Sequence, residues 1–525
     1  MKKLILLYAL LCASIACAQG NTTEVKISLL QDTIKINPMI YGQMLEDCNA
    51  KVIYGGLVNE DGSIHKKVNS LLKDLNIPVM RWPAGTYIHE YDWKKGIGPM
   101  NKRPQVPCHA WGGVETNQFG TDEFLQWCES MNIAPYINFN MSNDPEFAGS
   151  LGEALDWIEY VRGDTDTVWG KRRALNGREQ PYDVKYWCLG NENYSNYGKH
   201  LGERAEAYVK RFNRWAKAIR ALYPDLILMG VGHKSWWNNV ILHSTGKYID
   251  IITIHFYIHV KVKNGEIYNP KAVLFAPEKV EWDLQKTIKF LDSANKKFER
   301  HDNPITISID EWNTRHNVST GGDFAFSRGD PRKVFDVAIV AGMLNVFVRQ
   351  SEHISMANYI FPVNGHGLIK TEGEDDAFAT AIYDVFKIYR ELMIGSLANV
   401  EISGAYSDAP TKNFHIEGDL NEADVLKEFD DVKCTFIDSS AALRDDGILS
   451  VVLLNRNHED FQEVSVTLPD GYKSFQAWAI FNDDISDANI STDREKVKAR
   501  KLEIKANQRK FTLPPCGLMI LECKK

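Results

Sequence analysis

Residues 249–257, IDIITIHFY, form an apolar run that does not alternate and that carries His255 and Tyr257 at its end. A strand with one face in water would alternate polar and apolar positions; an unbroken run is what a strand covered on both faces requires. Seven more such runs flank it: MIYGQM (39–44), VMRWP (79–83), APYINFN (134–140), VKYWCL (184–189), LILMGV (226–231), ITISID (305–310) and ISMANYIF (354–361). Helical spacing fills the gaps. Val68, Leu71, Leu72 and Leu75 repeat at i, i+3, i+4 and i+7, and Tyr208, Phe212, Trp215 and Ile219 mark one face of another helix. Eight strand–helix units in a row predict an α/β fold, a (β/α)₈ TIM barrel over residues 38–396. A doubly wound open sheet is the alternative, and the number of units favours closure.

After about residue 397 the texture changes. LSVVLL (449–454), QAWAIF (476–481) and LMILE (518–522) are separated by turn-rich pieces such as Asp445-Asp446-Gly447 and Asn455-Arg456-Asn457. This predicts an antiparallel β-sandwich over 397–525. Residues 24–36, EVKISLLQDTIKI, also read as strands, and the segment 19–37 is expected to join that sandwich, because chain ends often meet.

The beginning of the chain reads as an address. Lys2 and Lys3 precede an apolar run from Leu4 to Ala16, and Ala16-Cys17-Ala18 offers small residues for cleavage. That is the layout of a signal peptide over 1–18, so export to the periplasm or the exterior is expected. The run is short for a bilayer span, and no later stretch is long and apolar enough for one. Lipidation of Cys17 competes with free release, although Ser14 suits such a site poorly. Nine cysteines occur, seven of them beyond the leader, scattered and without a CxxC pair. A disulfide framework is therefore not expected, while a Cys516–Cys523 bond stays open.

With 525 residues the chain is too long for one ordinary core, and 44% hydrophobic with 25% charged residues excludes a disordered chain. The 61 Lys and Arg against 69 Asp and Glu, a net charge of −8, speak against a nucleic-acid partner. Thirteen Trp suit a protein that handles sugar rings, although any one of them is more often core. A homo-oligomer stays open.

In a barrel of this kind the chemistry gathers at the C-terminal ends of the strands. The first run leads into Glu46, the second carries Arg81, the fourth ends in Gly190-Asn191-Glu192, the sixth in His255 and Tyr257, and the seventh in Asp310-Glu311-Trp312. Asn-Glu also occurs at 59–60 and 421–422, and acidic residues at strand ends often cap helices, so neither Glu192 nor Glu311 alone decides anything. Together, at the ends of strands four and seven, they form the carboxylate pair of glycoside hydrolysis, one protonating the leaving oxygen and the other attacking carbon or activating water.

Longer motifs carry a resemblance. RWPAGTYIHEYDWKKGIG (81–98), Arg103-Pro104, Trp111, ETNQFGTDEF (115–124), WCLGNEN (187–193), DIITIHFY (250–257), DEWN (310–313) and LPPCGLMIL (513–521) resemble, in order, glycoside hydrolase family 51, the α-L-arabinofuranosidases of the retaining clan A barrels. The resemblance spans nearly the whole mature chain. It implies exo-acting release of terminal α-L-arabinofuranosyl groups from arabinan- or arabinoxylan-type oligosaccharides, with Glu192 as acid/base and Glu311 as nucleophile. It further implies that Asn191 binds the hydroxyl next to the reacting carbon, that Tyr257 and Arg81 orient an ionised Glu311, and that His255 lines the same wall. Glu46 would bind a hydroxyl at the far side of the ring, and Trp111 would stand near the leaving group. Glu192 should keep its proton before attack, so the two pKa values are expected to be pushed apart.

Departures from the family pattern bear on the glycone pocket. Ala84-Gly85 stands for a glycine pair, Thr86 follows it, Ser142 replaces a glycine, and Phe361 takes the place of an amide. They motivate a second reading, the same machinery on a β-xyloside, a galactofuranoside or an internal glucan bond. A non-catalytic sugar-binding protein is a third. No metal or cofactor is expected. His255 and His259 have a zinc-like spacing, but along a strand it stretches to roughly 13 Å. Gly230-Val231-Gly232 is only a fragment of a dinucleotide loop. Trp236-Trp237 is read as packing rather than as a cleft edge. The long stretches 258–281 and 313–330 are expected as loops shaping the subsites beyond the cleaved bond.

Overall fold

Eight parallel strands close on themselves: Gly42–Met44, Val79–Trp82, Ala134–Phe139, Tyr186–Leu189, Ile227–Val231, Ile251–Lys263, Thr306–Ser319 and Ile354–Tyr359, called strands one to eight. Each pairs with the next, and strand eight returns to strand one through Asn358–Gly42 and Tyr359–Gln43. The computed structural model describes residues 22–47, 50–83, 85–233, 235–408, 416–417 and 433–525; the leader at 1–18 with Cys17, and Ala84, lie outside them. Closure, rather than an open doubly wound sheet, is thus the architecture.

The period of two along each strand builds the barrel interior in layers. Val79, Tyr136, Cys188, Met229, Ile251 and Met356, one from each of six strands, form an inner cluster. Two residues further along strands two and three come Arg81 and Asn138, both buried, so the next layer is polar. The helical stripes pack outside this ring: Tyr208, Phe212, Trp215 and Ile219 are all buried on helix Ala205–Leu222, and Val68 and Leu72 on helix Lys66–Asp74.

Strands six and seven differ from the expectation of loops beginning at 258 and 313. They continue as a paired ribbon to Lys263 and Ser319, with His255, Tyr257 and His259 opposite Glu311, Asn313 and Arg315. The reason is visible in IHVKVK, residues 258–263, where apolar and charged residues alternate as a half-covered strand demands. Between the pairs Thr253–Ser308 and His255–Glu311, strand seven holds one more residue than strand six, a β-bulge at the edge of the site.

The C-terminal region forms a second, eleven-stranded sheet domain. Strand Thr23–Leu29 runs antiparallel to Gly395–Ser403 and parallel to Gln462–Thr467 within it. Leu449, Val451 and Leu453 enter the core of this domain, while Val452 and Leu454 belong to the larger core shared with the barrel. That explains why LSVVLL shows no alternation: both of its faces are covered. On the barrel side the cover is helix Val334–Arg349, every residue of which is buried from Val334 to Val348. Cys516 and Cys523 are both free, buried thiols, so the pair left open by the sequence does not form; Cys523 turns into the sheet core and Cys516 into the core shared with the barrel. Among the described residues no helix is long and apolar enough to cross a membrane.

Candidate active site

The barrel mouth opens into a cleft of about 490 Å³ whose walls include Glu46, Thr86, Trp111, Glu192, Tyr257 and Glu311. One carboxylate oxygen of Glu192, one of Glu311 and a ring nitrogen of His255 all lie within 4.8 Å of one another. The two acids are 119 positions apart in sequence and meet because strands four and seven end at the same rim.

Glu192 is placed by a tight turn after strand four. Gly190 has φ +100°, and a Cβ there would come within 2.1 Å of the Asn193 side chain; Glu192 itself sits at φ +43°. The left-handed backbone of this turn suits glycine and is strained for glutamate. Its Oε1 accepts hydrogen bonds from His255 Nδ1 at 2.7 Å and from the Tyr194 hydroxyl at 3.1 Å. Glu311 is gripped from below and from the side: Arg81 Nη1 donates to Oε1 at 2.6 Å, and the Tyr257 hydroxyl donates to Oε2. Arg81 Nη2 also donates to Asn191 Oδ1 at 2.6 Å, so one guanidinium fixes both Asn191 and Glu311.

Beneath the pair lies Asp310, fully buried, a member of the site that the sequence reading did not single out. It pairs with Arg81 Nε at 3.3 Å and His255 Nε2 at 3.2 Å, and accepts from the Tyr136 hydroxyl at 2.9 Å. In a regular strand Asp310 and Glu311 would face opposite sides; the bulge in strand seven lets both reach the barrel axis.

The ionisation differs from the sequence expectation for Glu192. Burial opposes the charge of His255, but Glu311 and Asp310, with hydrogen bonds to Asp310 and Glu192, hold its imidazolium up to about 10. Burial likewise opposes ionisation of Glu192, yet His255, then Arg315 and the Tyr194 hydroxyl, bring its carboxyl down to about 2. The balance of the buried pair thus favours the imidazole over Glu192 as the holder of a proton. The cause is a network of three acids around one histidine, which the linear sequence does not display.

Glu46 closes another wall. Its Oε1 accepts from the Tyr87 backbone N–H at 2.9 Å and from Trp111 Nε1 at 3.0 Å. Burial pushes its carboxyl up to about 8, Glu311 adding to the effect against the two N–H donors and Arg81. Its ordinary value is 4.5, so between that pH and about 8 the folded state holds a proton that the unfolded state has lost. Stability therefore falls as pH rises through this window. Glu46→Gln is expected to flatten that slope: the urea midpoint of the wild type drops between pH 6 and pH 9, and that of E46Q drops much less. Equal slopes would show that Glu46 does not titrate in this way.

Gly85, at φ +84°, lets the chain pass over Glu46; a Cβ there would lie 2.4 Å from both carboxylate oxygens. The Gly85 backbone, with ψ −155° at this φ, is open essentially to glycine alone, so Gly85→Ala costs about 1–3 kcal/mol from the backbone, and the clash displaces Glu46. Lower thermal stability together with a KM raised about tenfold or more is the expected outcome. Normal KM in a destabilised variant would separate the backbone effect from the site.

Other residues fall as follows. Thr86 and Phe361 line the cleft, whereas Ser142 turns away and donates to the Lys199 carbonyl. His259 stands further along strand six than His255, hydrogen-bonded to Asn317 at 2.9 Å. Trp237 is fully buried and donates to the Val231 carbonyl, while Trp236 is half exposed.

A family model described as "Alpha-L-arabinofuranosidase 1 domain" matches residues 71–273, and one described as "Alpha-L-arabinofuranosidase C-terminal domain" matches residues 310–516. The "Probable alpha-L-arabinofuranosidase C" of Aspergillus niger is 32% identical over 93% of this chain and 95% of its own length. The chain belongs to glycoside hydrolase family 51. Another protein similar to it, the "Intracellular exo-alpha-L-arabinofuranosidase" of Bacteroides ovatus, is 27% identical over 89% of this chain and 88% of its own. The crystal structure of the Thermotoga maritima α-L-arabinofuranosidase in complex with arabinose superposes with a TM-score of 0.80 at 26% identity, covering 96% of this chain and 99% of that one. Within this family-51 frame, Asp310, Tyr136 and Tyr194 are the site residues that sequence patterning missed. Asp310 had a signal, its place beside Glu311, but alternation argued against it.

Proposed function

We propose that this family-51 hydrolase releases terminal α-L-arabinofuranosyl groups from arabinan- or arabinoxylan-type oligosaccharides by double displacement, with retention. The observation that carries the reading is the approach of the Glu192 and Glu311 carboxylates to within 4.8 Å. Retaining glycosidases hold their carboxyls about 5–5.5 Å apart, whereas inverting ones need about 6.5–9.5 Å to admit a water. Glu311 attacks the anomeric carbon as the bond to the leaving oxygen breaks, and Glu192 protonates that oxygen. Water then replaces Glu311, giving its proton to Glu192. His255, 2.7 Å from Glu192, holds the proton in the resting site and passes it to Glu192 when the sugar displaces the charge balance of the empty cleft. The name of the Bacteroides ovatus relative supports the exo mode. The run from Lys2 to Ala18 supports export, with lipidation at Cys17 as the variant of that reading.

The test is proton NMR of the first product released from an arabino-oligosaccharide. Appearance of the α-anomer first is expected; initial formation of the β-anomer would overturn the two-step route. A second reading, another glycoside on the same machinery, draws on Thr86 and Phe361 in the cleft wall, since a phenyl ring cannot hydrogen-bond a hydroxyl. Faster turnover of a chromogenic β-xyloside or galactofuranoside than of the arabinofuranoside would favour it.

A further inference from the structure

The turn that presents Glu192 is strained. Glu192 sits at φ +43° and Gly190 at φ +100°, and a left-handed glutamate persists only where its surroundings over-determine it. The carbonyls on either side of Glu192 show what supplies that constraint. The Asn191 carbonyl accepts from His89 Nε2 at 2.7 Å, and the Asn193 carbonyl accepts from His200 Nε2 at 2.9 Å. A carbonyl can only accept, so each ring carries its hydrogen on Nε2. The two imidazoles are buried and stacked on each other, with centroids 4.6 Å apart and planes inclined by 20°. His200 is locked further by the Asn143 N–H, which donates to its Nδ1 at 3.3 Å. Among the described residues His89 Nδ1 meets no hydrogen-bond partner, so Asn191 is the one polar tether of that ring.

We propose that His89 and His200 are positioning residues for the acid/base step: the stacked pair pins the peptides flanking Glu192 and so holds its carboxyl against the leaving oxygen. His89 ends the 3₁₀ turn Thr86–His89, which also builds the glycone wall, since Thr86 lines the cleft and the Tyr87 N–H donates to Glu46. The stack therefore ties the wall that receives the sugar to the turn that carries the acid. Asn191 is gripped at both ends, its side chain by Arg81 and its carbonyl by His89. Neither imidazole is among the cleft walls, so both act through Glu192 rather than on the sugar. Burial holds the His89 ring down to about 3, His200 adding to the effect, and burial lowers His200 as well. Both rings are thus neutral near pH 7, which lets them lie in contact without a buried charge between them.

The role rests on the arabinofuranosidase reading with Glu192 as acid/base, and its test keeps the two apart. Each protein is given a 4-nitrophenyl α-L-arabinofuranoside, whose leaving group departs with little help, and an arabino-oligosaccharide, whose leaving alcohol needs the proton. For both, kcat/KM reports the first, bond-breaking step. In His89→Leu, kcat/KM for the oligosaccharide is expected to fall about tenfold to a hundredfold, against less than about threefold for the nitrophenyl substrate. His200→Leu should show the same selective fall. His89→Gln returns an amide N–H near the place of Nε2 and should recover most of the loss. In a Glu192→Ala background His89→Leu should shift the ratio of the two rates no further, since no carboxyl is left to misplace. Both substrates are measured on one protein, so partial unfolding lowers both rates alike. His89→Asn, too short to reach the carbonyl, takes the place of the leucine variant if that does not fold. Equal losses on both substrates, or an undiminished effect in the Glu192→Ala background, overturn the positioning role alone. A Glu192→Ala variant that itself loses both substrates equally overturns the acid/base assignment, and a folded wild type that hydrolyses neither overturns the arabinofuranosidase reading.

Discussion

Glu311→Ala is expected to lower kcat/KM for an aryl α-L-arabinofuranoside by about 10⁴-fold or more, with KM for surviving turnover little changed. On the proposed route Glu311 supplies the attacking oxygen, and among the described residues no other carboxylate of the cleft is placed to replace it: Glu192 is the proposed proton donor, and Glu46 is turned to Trp111 and the Tyr87 N–H. Added azide should restore turnover, forming a glycosyl azide of inverted configuration, because the small anion enters from the face that Glu311 vacates. Glu192→Ala should behave differently. With a good leaving group its first step survives, and azide then yields the retained product; with a poor leaving group the loss is about 10²–10⁴-fold. Retained azide from the Glu311 variant would reverse the assignment of roles.

Arg81→Met is expected to be the most destabilising single change in the site. Arg81 touches Glu311 at 2.6 Å, Asn191 at 2.6 Å and Asp310 at 3.3 Å, and both it and Asp310 are almost completely excluded from water. Deleting the cation leaves Asp310 and Glu311 against His255 alone. Breaking a buried pair from one side costs about 3–5 kcal/mol, since the remaining charge cannot be solvated. The urea midpoint should fall accordingly, and activity should be lost under conditions where the variant is still folded. Arg81→Lys keeps the charge but not the fork, so it should recover part of the stability without holding Glu311 and Asn191 together. A midpoint within about 0.5 kcal/mol of the wild type for Arg81→Met would mean that Asp310 is protonated or hydrated, contrary to the network described.

The barrel was readable because its strands are buried on both faces, which leaves runs such as LILMGV and IDIITIHFY in the sequence with little to confuse them. Glu192 and Glu311 could be paired for the same reason: each terminates such a run, and closure brings run ends to one rim. Three things resisted reading. The ribbon beyond Tyr257 was hidden because a strand leaving the barrel changes from a continuous to an alternating pattern, as IHVKVK does. Asp310 was hidden by the bulge, since an extra residue cancels the alternation that would turn it outward. The low pKa of Glu192 was hidden because it arises from His255, Tyr194 and Arg315, which only the folded chain assembles.

Two strands about 490 positions apart in the sequence are interior threads of one fabric. Strand Thr23–Leu29 lies between Gly395–Ser403 and Gln462–Thr467, and Leu518–Lys524 lies between Leu449–Asn455 and Lys473–Ile480. Helix Val334–Arg349 packs on the earlier helix Ala276–Lys297 and also on Leu449–Asn455 and Leu518–Lys524, so during synthesis one side of this apolar helix stays uncovered until those later strands emerge. Such a chain should lean on chaperones and should tolerate an added tag at the exposed Lys525 but not a stop codon before Leu518, which is expected to abolish soluble yield.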